Sequence, residues 1–119
     1  MPSLRIKASY VDDDSFTIVL VAPVTINQQL KTDCDAFGFG YVEDHKVTGF
    51  EKYPFVLEEY DEKLALLDWG TLLEKNKATL DILARPLGLG SIITYEEVDE
   101  SGHKHGPYCY RITAVEYFD

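Results

Sequence analysis

Apolar and polar residues alternate at the start of the chain. Leu4, Ile6, Ala8 and Tyr10 are separated by Arg5, Lys7 and Ser9, the two-residue period of a strand with one buried face. Asp12-Asp13-Asp14 marks a turn, and Phe16 to Ala22 follows as a β-branched run without alternation, the pattern of a strand covered on both faces. These two segments predict a hairpin.

From Thr25 the period lengthens. Ile26, Leu30, Cys34 and Phe37 fall on one helical stripe, and Thr25 with Gln28 three residues later has the form of a capping box, which predicts a short helix. Phe37 to Val42 and Val47 to Phe50 then flank the polar segment Glu43 to Lys46. They predict a second hairpin, whose Gly38 and Gly40 imply a bulge or a sharply curved sheet. Leu57, Tyr60, Leu64 and Leu67 recur at helical spacing with acidic residues between them and Gly70 beyond, predicting a helix over 57–68.

Residues 71–85 satisfy two periods. Ala78, Leu80, Ile82 and Ala84 alternate as in a strand, while Leu72, Leu73, Leu80, Leu83 and Ala84 share a helical arc with Thr71 and Glu74 as its cap. Strands are preferred, because Lys75-Asn76-Lys77 offers a turn and Thr79 and Ile82 are indifferent helix formers. In the last third, 91–98 and 108–118 are rich in β-branched and aromatic residues and bracket the polar stretch 99–107, which reads as a long hairpin. Gly88 and Gly90, following Pro86, read as a tight turn and a bulge. The expected fold is mainly β to α+β: a curved antiparallel sheet or small barrel built from hairpins with one or two short helices, over 1–119 as a single domain. An α+β sandwich with a longer second helix is the alternative.

Composition narrows the functional classes. The formal charge is −10, from 21 acidic against 11 basic residues. Such a surface attracts basic partners and repels phosphate backbones and anionic lipid. The amino-terminal segment contains no continuous apolar run of signal-peptide type, and the apolar stretch 18–24 is far short of the ~20 residues of a membrane span. The expected location is therefore cytoplasmic. Cys34 and Cys109 are read as buried thiols; between Asp33 and Asp35, the Cys34 thiolate is disfavoured.

Candidate chemistry is sparse. His103 and His105 with Cys109 nearby form the one grouping that resembles a metal site, but no fourth ligand is local and a solvated hairpin tip accounts for them. Gly38-Phe39-Gly40 and Gly88-Leu89-Gly90-Ser91 lack the further residues of a phosphate loop. No cofactor, metal or catalytic residue is assigned, and the balance leans away from an enzyme.

The distinctive feature is a set of acidic clusters beside aromatic residues. Asp12, Asp13 and Asp14 form one, and Asp33 with Asp35 another. Glu58, Glu59, Asp61 and Glu62 form a third around Tyr60, and Glu96, Glu97, Asp99 and Glu100 a fourth. If two or more gather on one side, they make a negative field that steers a basic partner, with Tyr60, Tyr95, Tyr108 and Tyr110 as amphipathic anchors. The expected function is an acidic protein-binding module of inhibitor or immunity type, monomeric, masking a basic partner such as a bacterial toxin nuclease and binding no nucleic acid directly. Two alternatives are a small barrel whose aromatic strands line a ligand or enzyme pocket, and a phage-type accessory or assembly protein.

Overall fold

The structure, a computed structural model, describes residues 3–24, 29–30, 36–45, 51–70, 77–99 and 101–118. Eight strands run in chain order: β1 (Ser3–Tyr10), β2 (Phe16–Pro23), β3 (Ala36–Asp44), β4 (Glu51–Glu59), β5 (Ala65–Asp68), β6 (Lys77–Leu80), β7 (Ile92–Val98) and β8 (Lys104–Phe118). Each is antiparallel to the next, and β1 also pairs with β8, so the sheet closes into an up-and-down barrel. Closure gives every strand two hydrogen-bonded neighbours.

Strand parity sets what lies inside. In β1, Leu4, Ile6 and Ala8 are fully buried, and their cross-strand partners Ala22, Leu20 and Ile18 face the same way. Leu57 opposite Leu67, then Leu80, Ile93 and Ile112, continue this layer around the barrel. The aliphatic layer fills one half of the interior; burying each such side chain contributes about 1.5–3 kcal/mol. As the β-branched run implied, β2 is covered on both faces: Thr17 and Val19 are buried although they alternate with the inward residues.

The β2–β3 pair is unusually tight. A methyl group on Gly40 would fall well inside contact with the Val19 carbonyl oxygen and reach 2.8 Å from Leu20 Cα and 2.9 Å from Phe55 Cζ. On Gly38 it would lie 2.7 Å from the Val21 carbonyl oxygen. These two glycines let the sheet curve inward where Phe55 crosses above it, opposite Gly40 on β4, and the register shifts between Ala36 and Gly38.

One end of the barrel is plugged. The connection after β6 carries Ile82, Leu83 and Leu87 into the core, each less than 5% exposed. Polar contacts pin it: Asp81 Oδ1 accepts the Thr94 N–H at 2.6 Å, Arg85 Nη2 donates to the Ile92 carbonyl at 2.8 Å, and the Leu83 N–H reaches the Lys63 carbonyl at 3.1 Å. Val24 and Leu30, joined by an isolated bridge, are buried as well.

The structure corrects the helix expected over 57–68. β4 continues to Glu59 and β5 begins at Ala65. Between them Asp61 Oδ1 accepts the Lys63 and Leu64 N–H groups at 2.8 and 2.7 Å, while Tyr60 N–H donates to the Leu64 carbonyl. The aspartate side chain builds a turn where the helical reading placed a solvated face. Leu57 and Leu67 share a face because they are cross-strand partners, so spacing that fits one side of a helix also fits two strands folded back on one another.

The helix expected from Thr25 lies largely outside the described residues; of its stripe, Leu30 forms a bridge and Phe37 sits in β3. The strand expected over 47–50 lies outside them too, with β4 beginning at Glu51. In the ambiguous segment, alternation holds through Ala78, Leu80 and Ile82, all fully buried, and breaks at Ala84, whose φ is 59°. Gly90, with φ 86°, makes the expected turn, closed by the Ser91 N–H on the Gly88 carbonyl at 3.0 Å. Among the described residues no helix is long and apolar enough to cross a membrane.

Candidate functional site

At the end opposite the plug, β1, β3, β5 and β7 finish and β2, β4, β6 and β8 begin. Here the inward positions change character. The parity that buries Leu4, Ile6 and Ala8 next presents Tyr10, and the parity of Ile93 next presents Tyr95 and Glu97. β8 contributes Tyr108 and Tyr110, β3 Val42 and Asp44, β2 Phe16 and β4 Tyr53. Trp69, immediately after β5, completes the wall. These side chains enclose a cavity of about 370 Å³ that opens to solvent at the mouth. An eight-stranded barrel is just wide enough to be filled by side chains or to enclose a small hollow; this one is filled in its plugged half and hollow in its open half.

The rings brace one another. Tyr10 meets Tyr108 edge-on with centroids 5.7 Å apart, lies 5.5 Å from Tyr110 and approaches Phe16 at 6.4 Å. Tyr95 packs 6.3 Å from both Tyr108 and Tyr110. On the facing wall Phe55 and Trp69 pack edge to face at 5.5 Å. Such contacts hold rings in place with little freedom left to lose on binding. Trp69 is almost wholly buried, and its Nε1 finds no hydrogen-bond acceptor among the described residues.

Two of the tyrosines, Tyr95 and Tyr110, are held neutral. Burial pushes the Tyr95 phenol far above its ordinary value of 10.0, and its hydrogen bond to Glu97 Oε1 adds to the shift. Burial likewise raises Tyr110, with neighbouring Tyr10, Glu97 and Asp44 contributing. A phenol whose pKa is higher folded than unfolded stabilises the fold fully below about pH 10 and loses that contribution as pH rises further. Alkaline titration followed by tyrosinate absorbance is therefore expected to show Tyr95 and Tyr110 ionising only with unfolding. A single smooth step for all eight tyrosines with native circular dichroism retained would contradict it.

The acidic residues read as partner contacts are divided between the two ends of the barrel. Asp12, Asp13 and Asp14 follow β1 and Asp99 follows β7, so both groups lie at the mouth. Glu58 and Glu59 end β4, and Tyr60, Asp61 and Glu62 follow, placing that cluster at the plugged end. Glu96 faces outward beside Thr79, Glu97 faces the cavity, and Glu100 lies outside the described residues.

Several of these carboxylates are structural. Asp13 Oδ1 accepts the Ser15 N–H at 3.0 Å. Asp99 accepts the Ser101 and His103 N–H groups at 2.9 Å and His105 Nε2 at 3.0 Å, and these bonds, that of His105 foremost, hold its carboxyl below the usual range. The two histidines are thereby placed as a solvent-exposed hairpin tip gathered on Asp99, and among the described residues no group of three or more His, Cys, Asp or Glu is arranged to hold a metal. Cys109 is a half-buried free thiol in β8; Cys34 lies outside the described residues.

Tyr95, Tyr108 and Tyr110, expected as anchors, do meet in one place, but inside the mouth instead of on an outer docking face. Sequence reasoning missed Tyr10, Phe16, Asp44, Tyr53 and Trp69. A usable signal was present in β7: Glu97 shares the parity of the apolar Ile93, and an acidic residue in line with buried positions marks an interior that turns polar. A second hollow, of about 360 Å³, lies on the outer face beside the exposed Phe39 and carries no ionisable side chain among its described lining residues.

Comparison of the chain with protein-family models, curated proteins and solved structures finds no match to any of them.

Proposed function

We propose that the barrel binds a small molecule in the aromatic cavity at its open end. The observation that carries this reading is the asymmetry of the interior: aliphatic packing and a buried loop seal one half, while the other is left open and walled by side chains from strands all round the barrel. A volume of about 370 Å³ falls within the roughly 300–1,000 Å³ of small-ligand pockets. A protein whose interior served only stability would gain by filling that space, since a void forfeits the contacts of its lining atoms.

Trp69 is the single tryptophan and stands in the cavity wall, so its fluorescence reports occupancy directly. A panel of small metabolites is expected to contain compounds that change Trp69 emission and raise the melting temperature together; saturation at a hundred times Kd stabilises by about 2.7 kcal/mol. Compounds that shift melting without touching Trp69 emission would place binding elsewhere.

A second reading, an acidic module that covers a basic protein, draws on one observation: the Asp12–Asp14 cluster and the β7–β8 tip share the mouth end. The same melts with basic proteins at low and high salt test it. Stabilisation by such a partner that weakens with salt would favour this reading, and a salt-insensitive response would count against it.

A further inference from the structure

We propose that the ligand of the mouth cavity is a small organic cation, an alkylated ammonium of metabolite size, held between aromatic faces and the Glu97 and Asp44 carboxylates; the proposal rests on the small-molecule reading above. Three features of the wall lead to it. Ring faces dominate: Tyr10, Tyr53, Tyr95, Tyr108 and Tyr110 stand with Phe16 and Trp69 around one space. The face of each ring is negative at its centre and attracts a cation lying over it, most strongly where water is excluded. Among the described residues of the lining every ionisable group is either a carboxylate or a phenol, and no Lys, Arg or His occurs.

Burial disfavours the ionised form of the Tyr95 and Tyr110 phenols, and the carboxylates of the wall are those of Glu97 and Asp44. An anion entering this space would meet repulsion from the carboxylates, and a neutral molecule would gain nothing from their charge; a cation is attracted by carboxylates and rings alike.

Alkylation of the cation matters as well. A bare ammonium is compact and strongly hydrated and needs a hydrogen-bond acceptor for each proton it brings. A tetraalkyl or trialkyl ammonium has few or no N–H groups to satisfy, spreads its charge over methyl surfaces and exchanges water for ring faces at small cost. The aromatic share of this wall fits the second kind. A phosphocholine head group would carry its phosphate into the acidic mouth, so the free cation is the expected ligand.

The test uses pairs that differ only in charge. Trp69 emission and thermal melting are followed for choline against its neutral carbon isostere, in which a tert-butyl group replaces trimethylammonium, and against the tert-butyl carboxylate. Tetramethylammonium and benzyltrimethylammonium vary the size, and phosphocholine is included. At least one of the cations is expected to bind about tenfold or more tighter than any neutral counterpart. Glu97→Gln keeps an acceptor for the Tyr95 hydroxyl, and Asp44→Asn is its companion. Each variant, once melting has shown it to be folded, is expected to lose about tenfold in affinity for the cation and to lose markedly less for neutral compounds.

Neutral isosteres that bind as well as the cations would overturn the charge assignment and leave the ligand cavity standing. Tighter binding of phosphocholine than of choline would overturn the free-cation assignment. Failure of every cation, alongside a neutral or anionic compound from the wider panel that alters Trp69 emission, would sink this proposal alone; failure of both sets would sink the small-molecule reading with it.

Discussion

Gly40→Ala is expected to destabilise the barrel by about 3 kcal/mol, the upper range for overpacking. The added methyl would meet backbone on two sides, at the Val19 carbonyl and at Leu20 Cα, and Phe55 on the third. A flexible side-chain end can swing away, but two hydrogen-bonded strands separate only by losing their ladder. The measurement is a shift of the urea midpoint at constant slope. Gly88→Ala serves as control: nothing lies within 4 Å of its would-be methyl group, and the lost freedom of the unfolded chain makes it neutral or slightly stabilising, by up to about 1 kcal/mol. Equal midpoints for the two variants would show that β2 and β3 are not in the contact described.

Leu87→Ala is expected to cost about 2–5 kcal/mol, the range for truncating a fully buried leucine. Leu87 has no exposed surface and belongs to the connection that seals the barrel with Ile82 and Leu83. Set against a total stability of roughly 5–15 kcal/mol, one truncation would remove a sizeable part of the margin. Its partner measurement is the mouth: Trp69 lies toward the opposite end, so emission of the folded variant should match that of the parent. A loss below 1 kcal/mol would mean that the loop is an accessory and the barrel is held by its strands alone.

The parts of the fold legible in the sequence are those in which a single period dominates. β1 shows clean alternation, β2 shows a continuous apolar run, and β7 with β8 shows dense β-branched and aromatic residues, and each forms a strand. Between β4 and β5 the reading failed because Leu57, Leu64 and Leu67 satisfy a helical period as easily as a folded-back pair of strands. The deciding residue was Asp61, whose turn-forming hydrogen bonds lie in a run that composition presents as solvated charge.

The cavity was harder to read for a different reason. Its wall is assembled from Tyr10 at one end of the chain, Tyr110 at the other, and Tyr53 and Trp69 between them, and only closure of the barrel makes these positions neighbours. Charge was the prominent signal in the sequence, yet the fold sends the acidic clusters to opposite ends and uses Asp13, Asp61 and Asp99 to shape turns. The carboxylate that bears on the cavity, Glu97, was included for its charge, while its parity with Ile93 is what places it inside.

Pairing of β1 with β8 has a consequence for the order of events during synthesis. Lys7 accepts a hydrogen bond at its carbonyl from Thr113, 106 residues further along the chain, so β1 must wait for β8 before either has both neighbours. Until β8 has left the ribosome, the nascent sheet is an open ribbon with apolar residues of β1 and β2 facing water, a form prone to association with other chains. Ring closure over so long a separation is slow, so the tyrosine-lined mouth, whose wall draws on both β1 and β8, is completed late.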